Sequence, residues 1–450
     1  MEMLRTLILI ESLVLGLLLC VAAGYFYLLS RRITDTRVFG LLTLVFYYCM
    51  PGILGALSPT LLRIVVPMAR PDVQLPMAIA LPLLMTAVFT GIFIRFGRPR
   101  RMKPKRQWRL AKQLATQYRP GRLFLVSLGF FCLGLIGVYR ELHAAGGWFA
   151  VLRGGSSAYM EARVTQAVGF WGVLVCFIPI AAIGMMYATS FSRAVPRGLR
   201  WPLVLMILSA AIGLISLLTV RHQSMMLLLA LIALLEVKSR KLFRLLAPAV
   251  LILIVIGAVA LASLRYSSRA RSIDQLSGNF EEIEVSERII STFHAQGYVW
   301  GGNIPDLFVV MVPRAIWHNK PMGSSINRAV FFEFAKMGGV KVVGILGEGY
   351  ASGGLIMVAI EGLVYGIMLR RMRGFWNRRQ QNSYQFMAYG SIVLGYIYIV
   401  VHNGFISPNA VTFFAMLGQV WTTSWLCGYL PAAEKSRNLA QPQTSEPVTA

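Results

Sequence analysis

The chain has 450 residues; 56% are hydrophobic, 14% are charged, the formal net charge is +26 and the mean hydropathy is +0.63. Soluble domains carry about 25% charged residues, so a water-soluble globular enzyme is excluded. Apolar runs of about 17 to 25 residues recur along the chain, long enough to cross a bilayer as helices.

In chain order the runs predict spans near 4–29, 38–57, 76–94, 122–139, 168–189, 201–219, 222–237, 244–264, 343–369, 385–401 and 410–430. The fold class expected is an all-α polytopic membrane protein of about eleven transmembrane helices, with a range of 10–13. It forms one domain over 1–430. The first run continues past Leu19-Cys20 to Leu29 and lacks the small residue of a lipoprotein cleavage site, so it reads as a helix. Glu11 in this span and Glu361 in a later one each need a partner inside the bundle.

Connections alternate in charge. One set holds Arg31, Arg32 and Arg37, then eleven cations without an acid between Arg95 and Arg122. It continues with Arg193, Arg197 and Arg200, with Lys238, Arg240, Lys241 and Arg244, and with Arg370, Arg371, Arg373, Arg378 and Arg379. These loops mark the cytoplasmic side, which places the N-terminus outside and the C-terminus inside. Most of the excess charge is thus topology and contact with anionic lipid. The basic block 95–122 is short and flanked by spans, which argues against nucleic acid. Within it Trp108, Ala111, Ala115 and Tyr118 fit one face of an interfacial segment.

Cys20, Cys49, Cys132, Cys176 and Cys427 fall within predicted spans, without CxxC or metal spacing, and read as small core residues. No metal or cofactor is expected. The tail 431–450 is polar and rich in Ala, Pro, Gln and Thr, the composition of a disordered cytoplasmic segment.

Three outer segments exceed a turn: 58–75, 140–167 and 265–342. The last is long enough to imply function and some helix. In it Ile283, Ile289, Ile290 and Phe293 suggest one face of a short helix, while Glu281, Glu282, Glu284 and Glu287 read as its solvated face. Residues 304–317 are apolar but too short to span. All five histidines, His143, His222, His294, His318 and His402, fall on the outer side or its edge.

Arg221-His222 separates two apolar runs. Arg221 either snorkels to anchor a helix end or faces a cavity and binds phosphate with its forked donors. Arg265, and Arg288 further along the same segment, are cations on the side that the charge rule disfavours. In VPRAIWHNKP (312–321), Pro313 and Pro321 bend the chain around Arg314, Trp317 and Lys320, two cations and an aromatic suited to an interface or a sugar ring. GEGYASGG (347–354) then opens a helix. Glu348 there either favours the helix dipole or acts as a base or hydroxyl acceptor. Gly347, Gly349, Gly353 and Gly354 allow close helix packing.

The run from Pro313 through Lys320-Pro321, followed by GILGEGYASGGLIMVAIEG (344–362), resembles the oligosaccharide repeat-unit polymerases, the Wzy-type O-antigen polymerases of bacteria. The carrying pattern is Pro-Arg and Lys-Pro in the last large outer loop, then Gly344, Glu348 and Tyr350 leading into a glycine-rich helix. It covers about fifty residues; Ser352 stands where that family usually has an acidic or aromatic residue.

The resemblance implies a GT-C-like glycosyltransferase of the bacterial inner membrane, with its site and N-terminus periplasmic. Its substrate would be an oligosaccharide repeat unit on undecaprenyl pyrophosphate, polymerised into O-antigen, capsule or exopolysaccharide. Implied partners are membrane lipids and the flippase and chain-length regulator of the same pathway. Arg221, Arg265 and Arg314 would stabilise departing pyrophosphate. His294 or Glu348 would take the proton of the attacking hydroxyl. His222, Arg288, Trp317, Lys320 and Tyr350 would complete the substrate site. An O-antigen ligase that uses lipid A-core as acceptor is the neighbouring alternative. A transporter is the alternative of another class, though no half-to-half similarity is present.

Overall fold

The computed structural model describes residues 2–30, 35–50, 71–94, 120–144, 146–147, 169–217, 221–238, 282–300, 302, 304–306, 317, 319, 325–330, 343–378, 384–405 and 409–427. Every regular element among them is helical. In order these are α1 (Glu2–Ser30), α2 (Thr36–Leu44, running into a π-helical turn at Val45–Cys49), α3 (Pro71–Phe93), α4 (Pro120–Ala144), α5 (Gly169–Val175) and α6 (Phe177–Phe191). Then come α7 (Arg197–Leu217), α8 (Arg221–Lys238), α9 (Glu282–Gln296), α10 (Ser325–Ala329), α11 (Gly344–Arg378), α12 (Tyr384–Asn403) and α13 (Asn409–Leu426).

Among the described residues six helices are long and apolar enough to cross a membrane: Leu9–Ser30, Leu75–Phe93, Pro120–Ala144, Trp171–Phe191, Arg197–Ser216 and Gly344–Met372. Thr36–Cys49, Gln223–Leu235 and Met387–Asn403 are shorter apolar helices. The protein is therefore an all-α, multi-pass membrane protein. Each expected span overlaps a described helix, wholly or in part, except 244–264, which lies outside the described residues, as do the block 95–119 and the tail. The outer surfaces agree. Leu17, Leu18 and Val21 of α1, Leu125 of α4 and Trp421 and Trp425 of α13 are all exposed. Apolar rows of this size suit hydrocarbon and would aggregate in water.

Local chemistry sets several helix ends. Proline opens α3 and α4, at the first helical position where its missing N–H costs nothing. Asp35 caps α2 by accepting the Arg37 amide at 3.0 Å, and it also holds the Arg37 guanidinium, which lies 4.1 Å over the Phe26 ring. Gly404, at φ +86°, ends α12 with its N–H on the Val400 carbonyl at 2.9 Å.

The centre of the bundle is the packing of α3 against α11. Gly362 and Gly366 lie four apart on one face of α11, and Gly91 answers them from α3. A β-carbon on Gly362 would reach the Leu84 carbonyl oxygen at 2.8 Å; on Gly366 it would collide with the Val88 carbonyl oxygen. Only glycine lets the two backbones approach this closely. The junction is fastened at one end, where the Thr36 hydroxyl donates to the Leu369 carbonyl at 2.7 Å and Arg370 donates to the Ile92 carbonyl at 3.0 Å.

Two features differ from the sequence expectation. Cys20 and Cys132 are exposed on α1 and α4, while Cys49, Cys176 and Cys427 are buried; all five are free thiols. Helix periodicity cannot tell a lipid-facing position from a core position when both are apolar. Secondly, α11 is not one helix. Gly353 and Gly354 have non-helical backbones, and Gly354 sits at φ +65°. The break leaves a half-helix over 344–352 (α11a) and a long helix over 355–378 (α11b).

Replacing Gly366 with valine is expected to lower the thermal midpoint in detergent, by the equivalent of ~3 kcal/mol of overpacking. Gly418→Ala, at a position open to its surroundings, is the control and should leave the midpoint no lower.

Candidate functional site

The break folds α11 back on itself. A β-carbon on Gly349 would stand 3.0 Å from the Val358 Cα; in an unbroken helix those residues are about 13.5 Å apart. The chain therefore doubles back at Gly353–Gly354, and α11a becomes a buried half-helix wedged between α9, α11b, the π-turn of α2 and the end of α12.

Each face of α11a meets a different neighbour. At its start the Leu346 amide donates to the Tyr48 hydroxyl at 3.3 Å, and Tyr48 donates to the Val401 carbonyl at 3.4 Å. Tyr48 thus serves one of the N–H groups that a helix start leaves without an intrahelical partner. The π-turn makes this geometry. Its widened ring turns both Tyr47 and Tyr48 inward, where Tyr47 is hydrogen bonded to the Tyr398 hydroxyl and stacked on His402 at 4.9 Å. Such turns recur at functional positions.

Glu348, 3% exposed, points to the end of α12, where its Oε2 accepts the Phe405 amide and presses on Gly404. No side chain larger than hydrogen fits at Gly404. Tyr350, two residues on, is turned about 200° from Glu348 around the half-helix. It meets α9: the His294 Nδ1 and the Tyr350 hydroxyl are 3.2 Å apart. The Tyr298 ring packs edge-on against Tyr350 at 5.7 Å and against Trp300 at 5.6 Å.

The segment after α9 seals the break. The Val299 amide donates to the Ala351 carbonyl at 2.9 Å, one of the carbonyls that the end of α11a frees. Tyr298 lies over Gly354, and the six-membered ring of Trp300 lies over Gly353, 3.4 Å from where its β-carbon would be. Trp300 is 71% exposed and is held at φ +48°. A tryptophan in that backbone region is strained, by of order 1–3 kcal/mol.

The sequence-predicted residues separate accordingly. His294 and Tyr350 come together, and Glu348 shares their half-helix on the opposite side. Arg288 lies in α9, half-buried, one turn before the Thr292 hydroxyl that bonds its carbonyl at 2.9 Å. Trp317 is exposed and makes no ring contact with this cluster among the described residues. Arg221 and His222 open α8, and only their backbone is described. Arg265, Arg314, Lys320 and His318 lie outside the described residues.

The α9 reading holds in part. Ile289, Ile290 and Phe293 are buried together with Val285, but so is Glu287, which the sequence placed on a solvated face. The helix is covered on more sides than one apolar stripe implies.

Sequence reasoning passed over Tyr48, Tyr298, Trp300 and Tyr365. The signal available was the density of aromatics beside histidine and glycine, as in HAQGYVWGG (294–302). No protein-family model matches the chain, and no curated protein or solved structure matches it.

Tyr48→Phe is expected to cost ~1–2 kcal/mol, because it leaves the Leu346 amide and the Val401 carbonyl buried without this partner. A lower melting midpoint in detergent, without loss of the membrane-inserted fraction, is the check.

Proposed function

We propose that the protein is a GT-C-like glycosyltransferase of eleven spans that polymerises undecaprenyl-pyrophosphate-linked oligosaccharide repeat units. It would act on the periplasmic face of a bacterial inner membrane, with the N-terminus outside. The observation that carries this reading is the pairing of His294 with Tyr350. It joins the long outer segment to the half-helix that bears the polymerase-like motif, across 56 residues of sequence.

The exposed ring of Trp300, with the half-buried Tyr298 beside it, supports this reading, because aromatic faces stack on sugars. On this reading His294, which is exposed, accepts the proton of the attacking hydroxyl, and Tyr350 orients its ring. Glu348, enclosed and bound to Phe405, shapes the half-helix instead of meeting substrate. Arg221, Arg265 and Arg314 stabilise the pyrophosphate that leaves the anomeric carbon. No nucleotide-sugar domain is required, since the donor is already activated by its lipid pyrophosphate.

One observation favours a second reading. A broken helix with two buried carboxylates, Glu348 and Glu361, is also the architecture of ion-coupled transporters.

The test is the purified protein in lipid, given a labelled undecaprenyl-pyrophosphate oligosaccharide. A ladder of longer lipid-linked products is expected. His294→Ala should slow it by about a hundredfold or more, in line with the loss of a general base. Transfer that appears only with lipid A-core would mean a ligase, and substrate flux without a ladder would mean a transporter.

A further inference from the structure

Glu361 lies in α11b, seven residues beyond Gly354. It is 7% exposed, and its Oε2 is buried with no hydrogen-bond partner among the described residues. Four residues on, Tyr365 is fully buried and its hydroxyl likewise has no hydrogen-bond partner among the described residues. Positions four apart share one face of a helix, so the two unpaired oxygens address the same space.

That space is bounded by the half-helix and the end of α12. Glu361 Oε2 sits 3.3 Å from the β-carbon position of Gly349. The Tyr365 ring meets Phe405 at 6.5 Å, and it is the Phe405 amide that holds Glu348. Gly349 is the chain neighbour of Glu348, so Glu361 packs against the stretch of half-helix that carries the second carboxylate. Two carboxylates and a phenol therefore approach one space, Glu361 and Tyr365 from α11b and Glu348 from α11a.

The charges of the two carboxylates are not met equally. Glu348 accepts a backbone N–H and stands near the positive start of α11a. Glu361 has no ion pair or hydrogen bond at Oε2 among the described residues. A buried carboxylate left so costs several kcal/mol. With Glu361 ionised the unmet charge would be about one unit, and every donor is a hard oxygen, which selects alkali and alkaline-earth ions over thiol- or imidazole-seeking metals. A divalent ion loses far more hydration energy than a monovalent one on entering so apolar an interior.

We propose that Glu361, Glu348 and the Tyr365 hydroxyl form a binding site for a monovalent alkali cation, seated between α11a and α11b. The ion ties the two arms of the broken helix together, so its binding stabilises the hairpin. The proposal stands apart from the glycan chemistry: it needs no substrate and reads no transfer.

The test is thermal unfolding of the purified full chain in detergent at constant ionic strength, with sodium chloride, potassium chloride or choline chloride. Sodium or potassium should raise the midpoint over choline by about 3 °C, saturably, as a ligand of the folded state does. Glu361→Gln should abolish the difference. Tyr365→Phe, which keeps the ring, should weaken the apparent affinity by about tenfold, and it serves if the glutamine variant does not fold. Equal midpoints in all three salts would overturn the proposal. So would a cation effect retained in both variants, or stabilisation that follows pH alone, which would put a proton between the carboxylates.

Discussion

Gly354 stands at φ +65°, in the left-handed region where a β-carbon crowds the following carbonyl oxygen. Glycine alone takes that conformation freely, and here it interrupts a helical stretch of 35 residues. Unbroken, such a helix would be about 52 Å long, against a hydrocarbon core of about 30 Å. The break resolves the mismatch by turning the first part back into the bundle. Everything at the candidate site follows from this reversal. It brings Gly349 onto Val358, sets Glu361 against Gly349, and exposes two faces of one short helix to two different sets of partners.

A half-helix inside a membrane protein is costly unless its free ends are met, because hydrocarbon offers no hydrogen bonds. Here Tyr48 serves the start of the half-helix, and Val299 serves its end. The first comes from a π-turn in α2 and the second from the segment that follows α9. Three distant parts of the chain are thereby committed to one nine-residue helix. The small-residue contact of α3 with α11b supplies the fixed wall against which the reversal is held. This division places a wet face at His294, Tyr298 and Trp300 on one side. It places a dry polar face at Glu348, Glu361 and Tyr365 on the other.

The positions of the six long apolar helices were legible because an apolar run of about twenty residues has few alternatives, and Pro71 and Pro120 open two of them. The break was not legible. Gly353-Gly354 reads equally well as a close-packing surface, and Gly362 and Gly366, nine and twelve residues further along, really are one. The distinction rests on what lies opposite, which in this chain is Tyr298 and Trp300 from another segment. Glu287 misled for a related reason: a charged residue in a polar outer stretch looks solvated until the neighbouring helices are in place. His294 and Tyr350 were each visible as candidates, yet their pairing depends on the reversal. Glu361 was visible only as a charge in need of a partner. The structure packs it against the half-helix that carries a second carboxylate, not against a cation among the described residues.

The reversal itself is tested most directly by Gly349→Cys with Val358→Cys, in a chain whose five native cysteines have been replaced, treated in lipid with a membrane-permeant oxidant. The hairpin brings the two Cα atoms to within about 4.5 Å of each other, at the short end of the separation that a disulfide spans. The prediction is an intrachain disulfide, read as joint loss of maleimide labelling at both positions without dimer formation. Full labelling of both thiols after oxidation, as for residues about 13.5 Å apart on a straight helix, would contradict the account.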